Sequence, residues 1–254
     1  MGKSLNTTFF LVVAAAISLL HNHSIDAINY TVTNEVANTT GGKLFDQEIG
    51  AEFAKQVMEN ATSFVWQVLN QTEDDERYVP EVVSLYISDF AGYAVERGDT
   101  INISGPYLGT AYGPPNRSKF LFTSVMYHEM THVFQWKANY GAPVGLIEGI
   151  ADYVMVKSNI YEKDSYKKPG SGSKWDEGYD VTERFLEYCD NLTEGFTAKL
   201  NKMMRYKYND SYFELLLGKP VGQLWAEYKA MHGNLNDTTS DQASNTRVIA
   251  ELNY

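Results

Sequence analysis

The sequence predicts an α+β fold, with a small N-terminal mixed β-sheet and a helical C-terminal part. Three observations predict it. Short stretches that alternate or are rich in β-branched residues fall within 28–105, at Asn29–Thr33, Glu81–Ile87 and Asp99–Ser104. Apolar residues recur at helical spacing around 120–136 and again across 179–232. The chain has 254 residues, 44% of them hydrophobic, which is enough to bury one sizeable core.

Residues 1–27 read as a secretory leader. Lys3 is the positive n-region, and Phe9 to Leu20 is an apolar run too short to span a bilayer comfortably. Ala27 supplies a small residue at the cleavage point, although Ile25 is large for its position. A single domain is expected over residues 28–232, followed by a polar tail, 233–254. Nine N-x-S/T sequons beyond the leader, at Asn29, Asn38, Asn60, Asn70, Asn102, Asn116, Asn191, Asn209 and Asn236, agree with passage through a glycosylating compartment. Cys189 is the sole cysteine, so no intramolecular disulfide forms, and a buried structural thiol is expected there. A formal net charge of -11 argues against nucleic acid and against an anionic membrane surface as partners.

Within the domain, Asn29–Thr33 is the first strand. Leu44–Leu69 has helical spacing through Ala51, Phe53, Ala54, Val57, Phe64, Val65 and Val68. Glu81–Ile87, after Pro80, and Asp99–Ser104 give two further strands. A helix follows the start signal Pro114-Pro115-Asn116, carries Phe120, Val125, Met126, Val133 and Trp136, and stops at Gly141 and Pro143. A second, largely apolar helix runs through Gly145–Tyr153. Residues 160–178, with Lys167-Lys168-Pro169-Gly170-Ser171-Gly172-Ser173, form a flexible loop placed to border a cleft. Helices return over 179–232, with Phe185, Leu186, Tyr188, Phe213, Leu215–Leu217, Leu224, Trp225 and Tyr228 as core positions.

The chemistry concentrates in His128-Glu129-Met130-Thr131-His132, an H-E-x-x-H pattern. Positions i and i+4 share one helix face, so two imidazoles so placed can each give one nitrogen to a single Zn²⁺. Glu129 lies at the edge of that face, placed to take a proton from an activated water. Two half-buried histidines with no metal are the competing reading. A catalytic zinc needs a third protein ligand. The pattern with Gly at +7 and His at +10 is excluded, because Gln135 and Ala138 stand there. His232 is far down the chain and lacks a supporting motif. Glu148 is the better candidate. A short connection favours antiparallel packing of its helix against the first, and a buried carboxylate needs a partner. Asp152, one turn on, is placed to accept the N–H of a ligating His. Solvated or capping roles for Glu148 and Asp152 are the alternative.

The blocks H-E-M-T-H-V-F-Q-W and G-L-I-E-G-I-A-D-Y resemble the plant basic secretory protein family of metallopeptidases. The likeness extends to Ile28–Asn34, Trp175–Thr182 and Gly218–Trp225. It implies a zincin-like fold, a His₂Glu site similar to the thermolysin-like group, with His128, His132 and Glu148 as ligands and Glu129 as base, and a role in plant defence. It also implies that a strand before the active helix pairs with extended substrate, a role assigned here to residues 100–104. The family is named for basic proteins, whereas this chain has a pI near 4.9. Tyr179 is a candidate oxyanion donor, although among 18 tyrosines an ordinary core or surface role competes.

Together these imply a secreted, monomeric, Zn²⁺-dependent endopeptidase acting on peptide or protein. The alternative is a secreted defence or binding protein that keeps the scaffold with little activity. A purely structural zinc site leaves Glu129 without a task.

Overall fold

The computed structural model describes residues 28–73, 77–111 and 115–232. The expected leader and the expected tail lie outside the described residues. Four strands form one mixed sheet in the order β1-β2-β4-β3: β1 Asn29–Asn34, β2 Val82–Ser88, β3 Ala94–Arg97 and β4 Thr100–Ser104. β1 and β4 both run parallel to β2, with Asn29 opposite Val82 and Ser84 opposite Thr100. β3 returns antiparallel to β4.

Three of these strands match the sequence expectation, while β3 was not anticipated. Its four residues, Ala-Val-Glu-Arg, carry no apolar–polar alternation. It forms because Gly98, at φ +66°, supplies the two-residue turn that folds Arg97 back onto Thr100. This corrects the role assigned to residues 100–104. β4 is an interior strand hydrogen-bonded on both sides, so it has no edge to offer a substrate. The sheet edge on that side is β3.

One sheet face is apolar and covered. Val83, Leu85, Ile87, Ile101 and Ile103 are buried against helices. The other face is polar and part-exposed. On it the Thr31 hydroxyl donates to Ser84 Oγ at 2.9 Å, and Ser88 Oγ donates to Asn102 Oδ1 at 3.1 Å. A sheet with one solvated face has the alternation that made its strands legible.

Between β1 and β2 the expected single helix is divided. α1, Thr40–Leu44, runs into a π turn over Phe45–Ile49; the chain then breaks at Gly50 (φ +76°) and resumes as α2, Ala51–Val68. α2 buries Ala54, Val57, Met58, Ala61 and Val65 beneath the sheet and against the next long helix. After β4 come a short α3, Gly105–Ala111, and then α4, Pro115–Phe134, which carries His128, Glu129 and His132. α5, Val144–Lys157, packs against α4. The C-terminal helices are α6 Tyr179–Leu192, α7 Phe196–Met203, α8 Ser211–Leu217 and α9 Val221–Met231.

Two devices hold the α4–α5 unit. The end of α4 has backbone carbonyls that helix geometry leaves unbonded. Gln71 Nε2 donates to Phe134 O at 3.1 Å and Asn201 Nδ2 to Trp136 O at 3.3 Å, joining α4 to the end of α2 and to α7. On the other side α5 and α6 pack closely, because Gly149 has no side chain. A Cβ there would lie 2.3 Å from Thr182 Cγ2.

Around α6, Phe185, Phe213, Trp175, Trp225 and Tyr228 pack into an aromatic core, mostly edge to face. Leu215, expected inside, is 71% exposed; α8 is short and turns Tyr212 and Phe213 inward instead. The loop before α6 is not the free segment expected. Its backbone is pinned: Lys167 N donates to Asp180 Oδ2 at 2.9 Å, Gly170 N to Tyr228 Oη at 2.8 Å, and Lys229 Nζ to Gly172 O at 2.7 Å. No helix among the described residues is long and apolar enough to cross a membrane.

Candidate metal centre

α4 is helical through the whole H-E-x-x-H segment, so His128 and His132 lie one turn apart on one face, as the spacing requires. Their Nε2 atoms are 3.0 Å apart. The antiparallel return through residues 135–143 brings α5 back against that face. Glu148 Oε2 then lies 3.1 Å from His128 Nε2 and 3.4 Å from His132 Nε2. The candidate ligand atoms of His128, His132 and Glu148 all fall within 4.8 Å of one another. The three side chains retain 13%, 7% and 12% exposure, so the cluster is sunken yet reachable.

Asp152 is one turn beyond Glu148 and buried. Its Oδ1 is 2.8 Å from His128 Nδ1, on the ring edge away from the cluster. That contact fixes the ring and leaves Nε2 directed at Glu148 and His132. Tyr179, the first residue of α6, lies over the His128 ring with centroids 6.1 Å apart and planes 16° from parallel, and its hydroxyl bonds Glu148. Tyr179 is held at φ +45°, an uncommon conformation for a non-glycine residue. Strain of this kind concentrates at sites where geometry matters.

The electrostatics follow from placing acids and imidazoles in a sunken site. Burial opposes a charge on His128, but the hydrogen bonds to Asp152 and Glu148 outweigh it and raise its pKa to about 10. Burial likewise opposes ionisation of Glu148, yet His132 and His128 hold its carboxyl far below the usual range. Glu129 is buried, and that burial raises its proton affinity. The imidazoles of His128 and His132 work against the rise, and Glu148 and Glu96 add to it. Burial and the surrounding carboxylates push the Tyr179 phenol well above its ordinary range, so it is a donor at neutral pH.

Comparison with known proteins gives a family match over residues 25–228, to a family described as peptidases of plants and bacteria. The chain belongs to this family. It is also similar to a basic secretory protease of Boswellia serrata, at 45% identity over 60 residues, covering 24% of this chain and 69% of that protein. No solved structure matches the chain.

In this family member every site residue proposed from sequence falls in one place: His128, Glu129 and His132 on α4, Glu148 and Asp152 on α5, and Tyr179 at the start of α6. His232, set aside on sequence grounds, meets Tyr228 edge to face at the end of α9. Two side chains at the site went unrecognised. Gln135 is buried with its amide 2.7 Å from His132 Nδ1. Glu96, on the covered face of β3, is buried and ion-paired with Lys137 just past the end of α4. Gln135 stood in view within H-V-F-Q-W; an apolar neighbourhood around a lone amide was the available signal. Glu96 had none, because β3 itself was not apparent.

The donor set of two imidazole nitrogens and one carboxylate oxygen suits Zn²⁺, which takes such ligands at about 2.0–2.2 Å and in catalytic sites keeps a further position for water. Asp152 behind His128 is the carboxylate–histidine arrangement that supports such ligands.

Proposed function

We propose that this protein is a secreted, zinc-dependent endopeptidase. The observation that carries the proposal is the convergence of His128, His132 and Glu148 within 4.8 Å, next to the buried Glu129. Membership in a peptidase family supports the reaction class, and the name of the Boswellia serrata relative supports secretion.

His128 and His132 through Nε2, and Glu148 through a carboxylate oxygen, would hold the metal. When bound, zinc would supply a Lewis acid for the scissile carbonyl and lower the pKa of a water. Glu129 takes the proton from the attacking water and passes it to the leaving amine, acting as base and then acid. Its raised proton affinity suits a group that carries a proton between two transfers. The Tyr179 hydroxyl donates to the oxygen that gains charge in the tetrahedral state. Asp152 keeps His128 oriented. β3 packs beside α4, and its outer edge offers unpaired backbone groups to an extended peptide.

A second reading, a secreted binding or defence protein on the same scaffold, is favoured by one observation. The Tyr179 hydroxyl already has Glu148 as a hydrogen-bond partner.

The deciding experiment measures zinc per chain and cleavage of unfolded protein for the leader-free protein, His132→Ala and Glu129→Gln. About one zinc in the wild type and in Glu129→Gln, little in His132→Ala, and turnover lost in both variants is the expected pattern. Zinc bound without turnover would favour the binding-protein reading. A wild type that takes up no zinc would end the metallopeptidase proposal.

A further inference from the structure

Gln135 lies three residues after His132, one position past the end of α4, where Gln135 N still donates to Thr131 O at 2.8 Å. Its side chain is 4% exposed. Nε2 contacts two groups: His132 Nδ1 at 2.7 Å and the backbone oxygen of Ile147 at 3.2 Å. Ile147 immediately precedes Glu148, so one amide joins a candidate ligand on α4 to the backbone beside a candidate ligand on α5. The other end of the amide, Oε1, is buried and has no hydrogen-bond partner. A buried acceptor left unbonded is costly and calls for an explanation.

The chemistry of His132 provides one. With the amide nitrogen toward Nδ1, that ring nitrogen is an acceptor and the ring proton is on Nε2, directed at Glu148. A neutral imidazole can give its Nε2 lone pair to a metal only if the proton is on Nδ1. Nδ1–H then needs an acceptor. A half-turn of the Gln135 amide brings Oε1 to that position at the expense of the bond to Ile147 O.

We propose that Gln135 is the positioning residue of His132, with an amide that turns between two orientations. One stabilises the metal-free ring through Nε2 and Ile147, and the other presents Oε1 to Nδ1–H when zinc is bound. The inference rests on the zinc reading of the site. It assigns to His132 an amide in the role that the Asp152 carboxylate has for His128, so the two histidines are supported by different chemistry.

The test is the zinc dissociation constant, by competition with a chromophoric chelator, for the wild type, Gln135→Met and Gln135→Glu. It is combined with melting of each metal-free protein and ¹H–¹⁵N spectra of histidine-labelled, zinc-loaded protein. Gln135→Met removes both orientations and is expected to weaken zinc by about 10–100-fold. Gln135→Glu is an acceptor in either orientation and is expected to bind zinc at least as tightly as the wild type. In the loaded wild type the His132 proton is expected on Nδ1. Wild-type affinity in Gln135→Met, equal weakening in Gln135→Glu, or a His132 proton on Nε2 in the loaded protein would each overturn the proposal while leaving the zinc reading intact. A folded wild type that binds no zinc would overturn both. If Gln135→Met does not fold, Gln135→Glu and the wild-type spectrum decide.

Discussion

At the scale of single residues, position and charge make different demands on Tyr179 and Glu183. Tyr179 already bonds Glu148, and its burial among carboxylates keeps it protonated. If it also donates to the developing oxyanion, Tyr179→Phe should lower kcat by about 10²–10³-fold with little change in KM, the usual loss for one such donor. Zinc content should be unchanged, because the phenol is not among the three ligands. A kcat within a few-fold of wild type would return Tyr179 to a packing role against the His128 ring. Glu183, four residues on, is fully buried; neither carboxylate oxygen has a hydrogen-bond partner, and Arg184 Nε is 3.6 Å away. Burial, with Glu187 adding to it, lifts its pKa to about 9. The folded state therefore keeps a proton that the unfolded chain releases near the ordinary value of 4.5. Between those values the folded state binds more protons, so stability falls as pH rises, by at most about 1.4 kcal/mol per pH unit. Glu183→Gln has no proton to lose. Denaturant unfolding from pH 5 to pH 8.5 should show a shallower decline for the variant than for the wild type. Parallel curves would mean that Glu183 is ionised in the folded protein.

Among elements, the α4–α5–α6 stack decides whether the site assembles, and its tightest contact is the absence of a side chain at Gly149. Alanine there gains helix propensity, up to about 1 kcal/mol over glycine. The same Cβ would meet Thr182 at 2.3 Å and 2.5 Å, distances that force the helices apart. Overpacking of this kind costs about 1–3 kcal/mol, so Gly149→Ala should be less stable by urea unfolding. Because Glu148 precedes it, zinc affinity should fall as well. A variant more stable than wild type would refute the close α5–α6 contact. These elements were largely legible in sequence. β1, β2 and β4 alternate because one face of the sheet is solvated. α4 and α5 are apolar enough to be seen, and Gly141 and Pro143 mark the break between them. β3 was not legible, since a four-residue strand ending in two charges depends on its neighbour for definition. The break of Leu44–Leu69 at Gly50 was also missed, because the apolar spacing continues across the π turn. The candidate site was more legible than the fold around it. Its residue types are scarce and specifically spaced, whereas Gln135 and Glu96 enter through packing that no spacing encodes.

For the whole molecule, metal and proton compete for the same cluster. Cys189 is buried with no disulfide to brace the chain, so stability rests on the core and, on the proposed reading, on zinc. A ligand that binds only the folded state at 1,000 times its Kd adds about 4 kcal/mol. For a domain of this size that is a Tm increase of roughly 8–16 °C. The increment should depend on pH with a definite sign. Without metal, His128 is held protonated between Asp152 and Glu148 at a pKa of about 10, above its ordinary value of 6.5. That interaction contributes stability fully below pH 6.5 and loses it as pH rises through about 10. Zinc must displace this proton, so below pH 10 its apparent affinity rises by up to tenfold per pH unit for each proton released. Both statements describe the same proton. Raising the pH weakens the metal-free fold and leaves the zinc-bound one, which has no such proton to lose, unchanged by this group, so the Tm difference between zinc and chelator should widen from pH 6 to pH 8. Calorimetry of wild type and Asp152→Asn at both pH values checks it. The variant removes a charge that sustains the His128 proton, so its metal-free form should be the less stable at pH 6 and its zinc increment should vary less with pH. An increment that narrows with rising pH in the wild type would mean that the cluster is not proton-held before it is metal-held.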